Sequence, residues 1–85
     1  MATYEHIIVE VFLPENAEHT SANRRIRPVK GQKYPQNLRV ECDRSFREDY
    51  PLGTKFRMQV KLVEGKERSP FLYSHYKWKP ELIEQ

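Results

Sequence analysis

The chain has 85 residues, with 15 Lys and Arg against 12 Asp and Glu, for a formal net charge of +3. That length holds one hydrophobic core, so a single small domain over 1–85 is expected. No apolar run approaches the ~18–20 residues of a membrane-crossing helix, the lone Cys42 forms no internal disulfide, and the first residues lack the basic start of a secretory leader, so a cytoplasmic protein without a membrane partner is expected.

Prolines at 14, 28, 35, 51, 70 and 80 divide the chain into short pieces. Proline ends helices and is tolerated in sheets at edges, strand starts and bulges. No piece sustains an apolar i, i+3, i+4, i+7 stripe, whereas several alternate with period two, which favours strands.

Tyr4 to Leu13 is the first predicted strand, with Ile7, Val9, Val11 and Leu13 on one wholly apolar face. Both faces carry apolar groups, so a central position is expected. Glu15 to Arg27 offers only Ala17, Ala22 and Ile26 to a core and reads as a long loop with at most one exposed helical turn. Arg24 to Lys30 reads as a short edge strand interrupted by Pro28. Asn37 to Asp43 is a second clear strand, with Leu38, Val40 and Cys42 facing inward. Ser45 to Glu48 has the spacing of a capping box and room for one helical turn before Pro51. Thr54 to Glu64 alternates most regularly: Phe56, Met58, Val60 and Leu62 against Lys55, Arg57, Gln59 and Lys61. A turn from Gly65 through Ser69 leads to a last long strand, Phe71 to Trp78, paired with 54–64 in a hairpin. Glu81 to Gln85 is expected to form a short turn that docks Leu82 and Ile83. The sum is an all-β fold, a small antiparallel barrel or strongly curved sheet of about five strands with minimal helix, of SH3-like or OB-like size.

Charge is unevenly spread. His19 to Val40 holds six basic residues and no acid, leaving nine basic against twelve acidic elsewhere. Such asymmetry attracts phosphates or acidic partners. The candidate contact residues are Arg24, Arg25, Arg27, Lys30 and Lys33 of the basic loop, with Lys55, Arg57 and Lys61 along the best strand. Tyr73, His75, Tyr76 and Trp78 are candidate stacking or interface groups, since cations track a nucleic-acid backbone while rings stack on bases. The plainer reading is that cations on exposed strands are solvated and discourage edge pairing.

Catalysis finds little support. An inward Cys42 is a small hydrophobe rather than a nucleophile. Three glycines build no phosphate-cradling loop, and there is no Gly-x-Ser-x-Gly. His6, His19, His75 and Cys42 are not at metal-ligand spacing. The expectation is a non-enzymatic binding module with no cofactor, metal or catalytic group. It would contact single-stranded or structured nucleic acid. The alternative is a protein-interaction or self-associating module that docks an acidic partner, and a homo-oligomer would supplement the small core.

Overall fold

The computed structural model describes residues 4–65, 69–75 and 77–83. Six strands run in chain order: β1 (Glu5–Phe12), β2 (Arg25–Pro28), β3 (Arg39–Glu41), β4 (Lys55–Val63), β5 (Phe71–Tyr73) and β6 (Glu81–Ile83). One helical turn, α1 (Ser45–Glu48), lies between β3 and β4, and a 3-10 turn covers Ser21–Asn23. Five strands in the order β2-β1-β4-β5-β3 curve into a nearly closed barrel, and β6 joins through β4.

The two long strands form the wall. β1 and β4 pair antiparallel from Glu5 opposite Val60 to Glu10 opposite Lys55. Alternation places Ile7, Val9 and Val11 against Phe56, Met58 and Val60 inside, and all six are buried. The opposite parity faces out, with Ile8 beside Arg57 and Glu10 beside Lys55. β-branched and aromatic residues fit such a half-buried pleated surface.

Both mouths of the barrel are stopped by rings. Phe46 of α1 and Tyr50 meet Phe56 edge-on, at centroid distances of 5.6 and 4.9 Å. Near the start of β1, Tyr34 donates its hydroxyl to Glu5 and Lys33 forms an ion pair with the same carboxylate at 2.7 Å. Those hydrogen bonds, Lys33 first and then Tyr34, hold the Glu5 carboxyl below its usual range. The Lys33 ammonium and the Tyr34 phenol are correspondingly raised, each chiefly by its bond to Glu5.

β2 is an edge strand, and its geometry explains the proline. The Val29 N–H bonds Ile8 O at 2.9 Å, so the peptides of Arg25 and Arg27, at the same parity, also face β1. Ile26 and Pro28 present their peptide groups to the open edge, where the missing N–H of Pro28 breaks no ladder bond. Gln32 then extends this pairing with a side chain: its amide accepts from Ile8 N–H at 2.8 Å and donates to Ile8 O at 2.6 Å.

Several sequence expectations change in detail. The β3–β5 pairing is parallel, not antiparallel. Both strands oppose β4 in direction, and β3 lies outside β5 rather than beside β4, so it meets a strand running its own way. The hairpin of β4 with β5 forms, but only over Lys61–Val63 and Phe71–Tyr73. The alternation from Phe71 to Trp78 does not continue as strand: Trp78 N–H bonds His75 O at 2.9 Å and turns the chain. Tyr76 and residues 66–68, within the expected strand and turn, lie outside the described residues. The tail is a strand rather than a turn, with Leu82 opposite Phe56 and Ile83 opposite Lys55. The helical turn at Ser45–Glu48 forms without a capping box, because Arg44 holds the cap position and Ser45 is already inside the turn; Asp43 Oδ1 accepts from Ser45 N–H at 3.0 Å.

Candidate binding surfaces

Two surfaces emerge, and neither is the continuous basic loop of the sequence. β2 and the segments around it distribute the loop cations over both ends of the barrel. Arg24 is half-buried and donates to the carbonyls of Tyr50 at 2.7 Å and Glu48 at 3.4 Å, tying β2 to the α1 turn. Lys33 is engaged by Glu5 at the other mouth. Arg27 stacks on Phe12, with its guanidinium carbon 4.4 Å from the ring centroid, and lies 3.7 Å from Glu10. Arg25 and Lys30 are exposed, as is the paired Lys33. Along β4, Lys55 faces Glu10, Arg57 is exposed between Ile8 and Glu81, and Lys61 faces Tyr73.

The first surface is aromatic. Tyr73 ends β5, the turn that follows brings back His75 and Trp78, and Tyr4 precedes β1. Trp78 lies 4.5 Å from Tyr4, 5.6 Å from His75 and 6.4 Å from Tyr73, measured between ring centroids. Tyr73 and His75 meet edge-on at 6.2 Å. Tyr4 is 48% exposed and Tyr73 36% exposed, so the cluster lies on the outside of the barrel. Lys61 adjoins it through Tyr73, and Lys77 and Lys79 are exposed in the same stretch of chain. The structure thus brings together three of the four rings chosen from sequence. It adds Tyr4, which a strand-by-strand reading placed at a terminus with nothing to indicate its neighbours.

The second surface is the seam between β2 and β3, the two ends of the strand path. A groove of about 1080 Å³ runs along it, floored by Ile26, Leu38 and Val40 and rimmed by Arg25, Arg27, Arg39 and Arg47. Arg39 and Arg47 were not among the sequence candidates, because their position depends on strand order, which periodicity does not encode. Cys42 also lines the groove, and burial pushes its thiol up to about 11, against a smaller opposing influence from Arg47. It is therefore a neutral, unreactive wall group at physiological pH.

The architecture defines a small all-β barrel with an unzipped seam. No protein-family model, no curated protein and no solved structure matches the chain.

Proposed function

We propose that this protein is a non-enzymatic binding module whose ligand is a single nucleic-acid strand laid across the ring cluster of Tyr4, Tyr73, His75 and Trp78. The observation that carries the reading is the convergence of four rings from separate parts of the chain on the exterior. Exposed rings accept stacked bases of any sequence, each worth about 1–3 kcal/mol. Lys61, Lys77 and Lys79 supply cations for the backbone beside them. The exposed Lys30, just beyond β2, adds to the positive field.

Trp78 is the single tryptophan, so its fluorescence reports on this surface alone. Titration with random single-stranded DNA and RNA is expected to quench it. Affinity should fall by about tenfold or more between 50 and 200 mM salt, as counterion release by several phosphate contacts requires. Tyr73→Ala should weaken binding while the barrel stays folded. No quenching at the lower salt overturns the reading. Quenching by an acidic protein with little salt dependence would instead favour a protein contact anchored on the same rings, and particle size in solution would show whether a second copy already occupies them.

A further inference from the structure

The seam groove calls for a ligand of different chemistry. β2 and β3 approach within 8 Å between Cα atoms, yet no ladder joins them among the described residues. Ser74 N–H bonds Glu41 O at 2.9 Å, which turns the peptides of Arg39 and Glu41 toward β5 and that of Val40 toward the seam. Ile26 on β2 is turned toward the seam in the same way. The unbroken run 36–43 lines one wall, so a strand edge, and not one face of a strand, borders the cavity.

The lining is sharply divided. Ile26 and Val40 reach the groove from the buried core and the half-buried Leu38 packs against them, which makes the floor apolar, with Leu38 its most accessible part. Four guanidinium groups stand on the rim against the two carboxylates of Glu41 and Asp43. Arg39 is paired with Glu41 at 2.7 Å. Arg25 donates to the carbonyls of Ala22 and Arg24 at 3.0 and 2.9 Å, and Arg47 to that of Arg24 at 3.4 Å. Carbonyls orient a guanidinium without cancelling its charge. The Nε of Arg27 is shielded from solvent and has no acceptor among the described residues. Arg27 also lies 3.7 Å from Glu10, so Arg25 and Arg47 are the rim cations without a carboxylate partner among the described residues.

Two occupants are excluded by dimensions and chemistry. An inserted peptide strand needs two ladder spacings, about 9.6 Å between its neighbours, more than the β2–β3 approach allows. A polynucleotide would leave the apolar floor unused. A ligand pocket is usually mostly apolar with a few orienting polar groups, and spans about 300–1,000 Å³. We infer that the seam binds an aliphatic carboxylate, with its hydrocarbon chain on Ile26, Leu38 and Val40 and its head group among Arg25, Arg27 and Arg47. The groove borders the ring cluster at Tyr73, but its head-group arginines and apolar floor lie outside that cluster, so the inference stands whether or not the rings bind nucleic acid.

The test is calorimetric titration of the intact chain with sodium dodecanoate below its micelle concentration, with dodecanol and dodecyltrimethylammonium as matched chains. Saturable one-to-one binding of dodecanoate is expected, with both comparison chains weaker by about tenfold or more, the scale of a charge-assisted contact. Amide resonances of Leu38 and Val40 should shift more than that of Trp78. Arg27→Gln and Arg47→Gln should each weaken dodecanoate about tenfold. Arg47 makes only one long carbonyl bond, so its variant reads the site even if Arg27→Gln unfolds. Absence of saturable binding, equal affinity for the cationic chain, or an unchanged Arg47→Gln variant overturns the inference. Binding of an acidic extended peptide with none of dodecanoate also overturns it, in favour of strand docking.

Discussion

The β1–β4 wall and the β2–β3 seam are built from similar residues and end in opposite states. In the wall, each strand spends both its backbone and its apolar face on the other: the ladder is continuous and Val9 and Met58 are fully buried. Along the seam, the apolar faces of Ile26 and Val40 are buried while the edge peptides beside them have no ladder to join among the described residues. Burial of side chains and closure of a sheet are thus separate achievements. A barrel this small completes the first and leaves the second open where Pro28 removes a donor and arginines crowd the rim.

The largest effect that sharpens this contrast is expected in the wall. Phe56→Ala removes a ring that two other rings abut and should cost about 3–5 kcal/mol, read by urea denaturation. Val40→Ala on the seam deletes two methyl groups and should cost only about 1–2 kcal/mol. Equal losses would mean that the seam carries as much of the core as the wall. Next is Arg24→Ala, which leaves the carbonyls of Tyr50 and Glu48 without their donor. It should cost about 1–2 kcal/mol, whereas exposed Arg25→Ala should change stability by less than about 0.5 kcal/mol. Thermal melts of the two variants at one salt concentration would separate the structural cation from the surface one.

Gln32→Ala should cost about 1 kcal/mol and speed hydrogen exchange at Ile8, where the side-chain amide bonds both backbone groups. Unchanged exchange there would show that β2 holds without this extension. The smallest effect belongs to the Glu5 clamp. The folded-state carboxyl of Glu5 is lowered, so its contribution is present above the unfolded-state value and fades as pH falls through the folded one. Lys33 and Tyr34 are raised, so theirs is present below their unfolded values and fades as pH climbs through the folded ones. Glu5→Gln should therefore lower Tm slightly near neutrality and converge with the parent chain at strongly acidic pH, as measured by melts across that range.

The long strands were legible because period two extends over eight or nine residues in β1 and β4. The short ones were less so. The alternation that suggests strand to Trp78 stops being strand at Tyr73, since nothing local marks the point where the ladder partner runs out. β6 has three residues and only two apolar ones, too few to show a period. Both candidate surfaces escaped the sequence in part for a common reason. Tyr4 meets Trp78, and Arg47 meets the rim of β2, through the order of strands in space, which depends on long-range pairing rather than on any local run. The basic loop was visible as charge, but charge alone does not say that Arg24 turns toward carbonyls and Lys33 toward Glu5.

The parallel pairing of β3 with β5 has a consequence in time. β3 finds its ladder partner about thirty residues further along the chain, and β1 finds its longest one about fifty residues further. During synthesis, the early strands leave the ribosome with little more than the β1–β2 pairing available to them. Loop closure over such separations slows folding, so the barrel assembles when β4 and β5 arrive together. The seam strand β3 is held solely through β5 among the described ladders, and it is the natural candidate to dock last and release first.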